Sequence, residues 1–442
     1  MKSFAVYQLN LRNFTVEGTL KAAEKLVGHI ADIGFDTIYL MALNSADDSI
    51  EGQSKRQLAS GYDNPKNPYR IVDYYDVDEE YGTLDDLKSF INEAHKFNLK
   101  VLIDIVYFHC GPKAVFLKEH PEFVLRNEDG SIDFGKEWPF ARFDFENKDV
   151  WEFFYKNLEF YVKEVGVDGF RFDCGDLMPL EFWKDVLGRV MKLDPNLIML
   201  NEGDRPEDLC CFDTVYRFDK MYVVNRTFAH EVNSGKKHKY VIPEDDTTVY
   251  TAKVFRQKIE EIYKIMPLGS TLNTSENHDT ASDMYEQRFE AFLGEDGAAA
   301  VLALQLTFDG VPMIYNGQEL ADTVRKSMFW NRFCKDNQSL QWENLLTEKG
   351  QRRMALIKAL THIRKNRPSI LNGDLKWIDH SGDENVIGFS RNLNGETTNV
   401  FINVTARAQE TEFKVNNVLL SNKASIGNGK ISFEPYGFVI AE

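Results

Sequence analysis

The chain has 442 residues, enough for a large core and two or three domains, and 43% hydrophobic with 27% charged content is an ordinary globular composition. A net charge of −17 argues against nucleic acid as the main partner. No run approaches about 20 apolar residues, so no membrane span is expected.

The start of the chain has no apolar run suited to a signal peptide. The cysteines, Cys110, Cys174, Cys210, Cys211 and Cys334, are odd in number and follow no zinc spacing. A cytoplasmic protein with free thiols is the expectation, with the adjacent Cys210 and Cys211 as a candidate redox pair. The 32 Phe and 18 Tyr mostly serve the core, although aromatic faces also suit sugar rings.

Strand and helix patterns alternate along most of the chain. Residues 5–10 read as a strand, 19–33 as a helix stopped by Gly34, and 37–42 as a second, fully apolar strand. A long polar loop over 44–68 follows, of the length that often carries function. Then come a helix over 83–97, a strand over 99–106, and a Pro-, Gly- and charge-rich stretch between Cys110 and Asn147 that reads as an insertion. Beyond it are a helix over 148–165 and strands over 167–173 and 197–201, with a helix over 179–193 between them. A weakly signalled strand over 214–218, a helix over 251–265 and a strand over 270–275 come next. A helix over 298–308, a strand over 311–315 and a helix over 351–365 complete this part. About eight strand–helix units predict an α/β fold, a (β/α)8 TIM barrel, with its site at the C-terminal strand ends. An open doubly wound sheet is the rival, but charged clusters follow many strands here, where that fold usually places one site at a switch point. From about Leu371 short alternating segments separated by turn pairs such as Asn394-Gly395 predict a C-terminal antiparallel β domain. The expected domains are the barrel (1–109 and 148–370), the subdomain inserted after strand three (110–147) and a C-terminal β-sandwich (371–442).

Four clusters sit at predicted strand ends: Asp104 to His109, Arg171 to Asp173, Asn201 to Asp204, and Glu276 to Asp279. On a barrel they converge on one mouth, bringing Asp173, Glu202 and Asp279 together with Arg171, His109 and His278. Arg171 and Asp173 are two apart and share a strand face, so Arg171 is expected to push the Asp173 pKa down and keep it ionised. Glycosidic cleavage needs an acid for the leaving oxygen and a carboxylate for the oxocarbenium-like centre. Asp173 suits the second role. Glu202, among other carboxylates, is expected to be raised and to serve as the acid, and Asp279 to bind sugar hydroxyls. Asp104, in mid-strand, is expected to support Arg171. A metal-assisted hydrolase is the alternative, disfavoured because no paired-histidine spacing occurs and Arg171 opposes a cation.

With these motifs on view the chain resembles the α-amylase family of glycoside hydrolases (family 13). The likeness lies in VYQLNLRNF at 6–14, YLMA at 39–42, PYRIVDYYDV at 68–77 followed by YGT at 81–83, GFRFD at 169–173, Glu202, NHD at 277–279 and VPMIYNGQE at 311–319. The resemblance implies a retaining hydrolase of α-glucans or maltodextrins, with Asp173 as nucleophile, Glu202 as acid/base and Asp279 as transition-state stabiliser. It implies that Arg171, His109 and His278 line the subsite of the cleaved sugar and that Tyr62 stacks on that sugar. There are departures. The family's third-strand motif usually ends Asn-His, and that Asn commonly binds a structural calcium; here it is Phe108, which offers no oxygen to a hard cation, so neither calcium nor any other cofactor is expected. Cys174 and Gly175 follow the nucleophile unusually, and Asn201 stands where the family often has Gly. The expected partner is an oligosaccharide, with no nucleic acid and no membrane. A transglycosylase using the same residues and a catalytically silent carbohydrate-binding protein of the same fold are the rivals.

Overall fold

The computed structural model describes residues 4–50, 53–134, 140–230, 246–284 and 287–442. Its central element is a ring of eight strands: β1 (Val6–Leu9), β2 (Thr37–Leu40), β3 (Lys100–Ile105), β4 (Gly169–Phe172), β5 (Ile198–Asn201), β6 (Thr214–Val215), β7 (Leu272–Asn273) and β8 (Val311–Tyr315). The strands are parallel, in the order β6-β5-β4-β3-β2-β1-β8-β7. The ring closes where the Val215 N–H donates to the Ser270 carbonyl at 3.0 Å and Val215 bridges Thr271 in parallel. This is the expected (β/α)8 barrel, and the open-sheet alternative is excluded by that closure.

The strands are mostly apolar because both faces are covered. Alternate residues Val6, Tyr39, Leu102, Leu200 and Met313 fill the interior as one buried cluster. Their neighbours Tyr7, Ile38, Leu40, Val101, Ile103, Phe170, Met199 and Ile314 face the helices. Gly169 permits the close approach of β4 to β5, since a Cβ there would fall 2.1 Å from the Ile198 carbonyl oxygen. The strand pairing sets Asp104 beside Arg171. By the two-residue period, Asp173 and Glu202 then point the same way one step nearer the C-terminal mouth.

Several elements differ from the sequence expectation. The helix over 19–33 is two pieces, Leu20–Glu24 and Val27–Asp32, each too short for periodicity to separate them. The polar loop contains a strand, Asn44–Ala46, paired with Ile71–Val77, and a helix, Lys55–Ala59, capped by the Ser54 hydroxyl. The sixth strand stops at Val215. A helix unread in the sequence, Phe218–Ala229, follows a left-handed Arg217. Its β-branched and aromatic content reads as strand, and burial along almost its whole length overrides propensity. The helix expected from 298 begins at Phe289 and bends at Gly294, whose φ is 73°. The insertion after β3 is anchored by a two-residue ladder, His109–Cys110 against Ala141–Arg142. The C-terminal antiparallel sheet runs Asp374–Trp377, Val386–Leu393, Glu396–Asn403, Lys430–Ala441, Gln409–Glu412, with Val418–Gly427 also paired to Lys430–Ala441. Among the described residues no helix is long and apolar enough to cross a membrane.

Candidate active site

Arg171 is fully buried and central. Its Nη1 lies 2.6 Å from Asp104 and 3.0 Å from Asp173, and its Nη2 lies 2.8 Å from Glu202. The rings of Tyr39 and Tyr216 hold the guanidinium from the sides at 5.7 and 5.5 Å. Asp104 accepts the hydroxyls of Tyr39 at 2.7 Å and Tyr69 at 2.9 Å, so its role as support for Arg171 is plain. One cation thus serves three carboxylates.

That ratio corrects the expected ionisation of Asp173. Burial and the neighbouring Glu202 carboxylate raise the Asp173 carboxyl well above the ordinary range, and Arg171, shared three ways, only partly opposes them. Asp279 is the opposite case. Burial raises it, but His278 and Arg56 overcome this and hold it well below the usual carboxylate range. The Arg56 Nη1 sits 2.6 Å from Asp279 Oδ1. Burial lowers both site histidines, His109 to about 4, so His109 is neutral near pH 7.

His278 is fixed from two sides, by Gln8 Nε2 at 2.8 Å from Nδ1 and by the Tyr69 hydroxyl at 2.9 Å from Nε2. The Tyr69 ring stacks on it at 5.4 Å. In the same turn the Asn277 side chain accepts the Asp279 N–H at 3.0 Å and the Thr280 N–H at 2.9 Å, which sets the direction of Asp279. His109 meets the Tyr69 carbonyl at 3.0 Å and stacks on Phe140 at 4.4 Å. Asp173, Glu202, Asp279, Arg171, His109 and His278 therefore belong to one connected set.

Tyr62 is placed differently. It is half-buried on the loop, with its N–H directed at Ser60 Oγ. The tyrosine whose contacts reach Asp104, His109 and His278 is Tyr69. Gln57 Nε2 donates to the carbonyls of Asn64 and Pro65 at 3.0 and 2.9 Å, which ties the intervening loop closed. Position just ahead of the strand Ile71–Val77 was the available signal. Arg56, on a helix invisible to periodicity, had none.

The departures after Asp173 have a common cause. A Cβ at position 175 would lie 1.7 Å from the Asn201 Oδ1, so Gly175 and Asn201 are one complementary pair rather than two changes. Asn201 in turn donates to Asp208 at 2.8 Å. Cys174 takes a left-handed conformation, φ 48°, and directs its N–H at Glu202 Oε2 at 2.8 Å. Such a conformation costs about 1–2 kcal/mol in a non-glycine residue and fits a site under functional constraint.

Among the described residues, Asp173, Cys174 and Glu202 form a group of potential metal ligands, with atoms within 4.8 Å of one another. Arg171 already lies against both carboxylates, which opposes a cation there. At the insertion, Phe108 packs its ring edge-on to His109 at 6.1 Å, so the residues present do not fit a hard cation at that place.

A family model described as "Alpha amylase, catalytic domain" matches residues 9–134 and 136–357. A cyclomaltodextrinase of Geobacillus thermopakistaniensis is 23% identical, covering 96% of this chain and 70% of that protein. An α-1,4-glucan:maltose-1-phosphate maltosyltransferase of Bifidobacterium longum is 24% identical over 87% of this chain, which spans only 49% of that relative's length. The crystal structure of a maltogenic α-amylase from Thermotoga neapolitana superposes with a TM-score of 0.79 at 23% identity, covering 99% of this chain and 98% of that one.

Proposed function

The chain belongs to the α-amylase family of glycoside hydrolases, and on that premise we propose that it is a retaining α-glucoside hydrolase acting on maltodextrins or related α-glucans. The observation that carries the reading is the approach of the Asp173 and Glu202 carboxylates around Arg171, with oxygen atoms within 4.8 Å. Both carboxylates meet one guanidinium, as a nucleophile and an acid working on the same glycosidic bond would, and retention is proposed from the family's mechanism.

In the first step an Asp173 oxygen attacks the anomeric carbon while Glu202 gives its proton to the departing glycosidic oxygen. Burial and the neighbouring Glu202 carboxylate raise Asp173, and the step requires Asp173 ionised beside Arg171 with the proton on Glu202. In the second step Glu202 takes a proton from water as the water attacks the glycosyl ester, and Asp173 leaves. Asp279, held charged by the Arg56 guanidinium 2.6 Å away, stabilises the positive ring in both transition states. Tyr69, His109 and His278 shape the subsite of the cleaved sugar, with Tyr69 in the stacking role first assigned to Tyr62. A cytoplasmic location belongs to this proposal and is supported by five free thiols.

Maltoheptaose digestion with products identified over time tests it. Shorter maltodextrins released with α-configuration are expected. Products longer than the substrate appearing early would replace hydrolysis by transglycosylation, the reading that the maltosyltransferase relative favours. Equal inactivity of wild type, Asp173→Asn and Glu202→Gln would favour a silent binding protein. No calcium requirement is part of the proposal: treatment with a chelator should leave the melting temperature unchanged, and a fall restored by calcium would refute that part.

A further inference from the structure

The adjacent cysteines lie on the turn that ties the loop after β4 to the loop after β5. Cys210 is exposed, Cys211 is half-buried, and their sulfur atoms are 3.4 Å apart. The Lys184 ammonium acts on both thiols. Burial and Cys210 push the Cys211 thiol up to about 12, which leaves exposed Cys210 as the entry point for chemistry. The turn is strongly connected. Asp208, fully buried, accepts the Cys211 N–H at 2.8 Å and the Phe212 N–H at 3.0 Å on its carbonyl. Its carboxylate accepts Arg205 Nε at 2.7 Å and Asn201 Nδ2 at 2.8 Å. Arg205 also donates to the carbonyls of Asp176 and Met178, both at 3.1 Å, just past Asp173. Asn201 directly precedes Glu202.

We propose that Cys210 and Cys211 are a thiol–disulfide exchange site that closes to a vicinal disulfide with a low-molecular-weight disulfide as oxidant, and that this closure loosens the Asp208 support beneath Glu202. The Cys210 thiolate attacks one sulfur of the oxidant and expels the first thiol. Cys211 then loses its proton, attacks the Cys210 sulfur of the mixed disulfide and expels the second. The pair is oxidised by two electrons, the small disulfide is reduced to two thiols, and the protein loses two hydrogens. Bringing the sulfurs from 3.4 Å to a bonded distance of about 2.0 Å turns the Cys210–Cys211 peptide, whose Cys211 N–H is one of the two, with that of Phe212, that hold the turn to the Asp208 carbonyl.

The test uses the full chain incubated with oxidised glutathione. The expected product is lighter by about 2 Da, carries no glutathione, and maps to a Cys210–Cys211 bridge by peptide analysis. Amide hydrogen exchange over residues 201–212 should rise several-fold, and turnover of an aryl α-maltoside should fall several-fold, both reversed by dithiothreitol. Cys210→Ser should show none of these changes. A stable single glutathione adduct, or a bridge elsewhere, overturns the site. A bridged protein with unchanged exchange overturns its coupling to Asp208. The turnover arm rests on the role given to Glu202. If the reduced protein is inactive, that role fails while mass and exchange still decide the site.

Discussion

Arg171 at the barrel mouth faces three carboxylates at 2.6, 2.8 and 3.0 Å, whereas Lys220, equally buried, is met by the Thr271 hydroxyl at 2.7 Å, the Asp309 carbonyl at 2.8 Å and the Tyr263 hydroxyl at 3.2 Å. The nearby Asp309 carboxylate is occupied by Arg391 at 3.1 Å and the Gly269 N–H at 2.6 Å. Burial therefore pulls Lys220 down to about 7, with Asp309 and Asp219 opposing and Arg391 reinforcing. Arg391 lies on the strand Val386–Leu393, so this second cluster helps join the C-terminal sheet to the segments entering β7 and β8. The contrast separates charge arranged for chemistry from charge tolerated for architecture. At the mouth burial raises Asp173, and anions in excess of the one cation raise it further. At the far cluster neutral oxygens solvate a lysine that folding would rather leave neutral.

The sharpest way to break the contrast is at its centre. Arg171→Met leaves buried carboxylates without their cation, a change worth about 3–5 kcal/mol of stability, and abolishes turnover. Arg171→Lys is expected to restore folding but not the three-way geometry, as urea unfolding and turnover measured together will show. Asp173→Asn should cost at least about 10⁴-fold in kcat with an unchanged melting temperature. Glu202→Gln should cost about 10²–10⁴-fold on maltodextrins and less on a nitrophenyl maltoside, whose leaving group needs little protonation. Equal losses on both substrates would contradict the acid role.

Two smaller effects sharpen the reading of the rim. Tyr69→Phe removes the hydroxyl shared by Asp104 and His278 and should lower kcat/KM by about 10-fold, in line with about 1–1.5 kcal/mol for a buried hydrogen bond, whereas Tyr62→Phe should change it little. Stacking is tested by removing the ring: Tyr69→Ala should lower kcat/KM more than Tyr62→Ala, and the reverse order would return the stacking role to Tyr62. Gly175→Ala should destabilise by about 1–3 kcal/mol through overpacking against Asn201, and Asn201→Gly in the same chain should recover most of it. Purely additive losses would disprove the pairing.

The last effect, one of pH rather than of a contact, belongs to Lys220. Its folded pKa is lowered, so between about 7 and about 10 the unfolded chain binds one proton more than the folded one. Stability should rise with pH across that window, by up to about 1.4 kcal/mol per unit, with the full cost of burying the charge felt below it. Lys220→Met should flatten the slope in chemical denaturation, and an unchanged slope would show that Lys220 stays protonated.

Much of this was legible from residue order alone. The strands β1, β2, β3, β4, β5, β7 and β8 were read at regular intervals, and the polar clusters that follow β4, β5 and β7 carry Asp173, Glu202 and Asp279. Period-two alternation already placed Arg171 and Asp173 on one face. These are local consequences of covalent geometry and hydrophobic patterning, which a linear reading contains. Three things were decided only by the fold. Tyr69, not singled out in the linear reading, joins Asp104, His109 and His278 through its hydroxyl, ring and carbonyl. Helix Phe218–Ala229 formed against its local preference because burial stabilises it along almost its whole length. The direction of the Asp173 shift reversed because burial and the neighbouring Glu202 carboxylate outweigh Arg171, which is two residues away in sequence and shared in space with two more carboxylates. Each depends on contacts between segments far apart in the chain, where the free energy of a side chain is set by neighbours that residue order does not reveal.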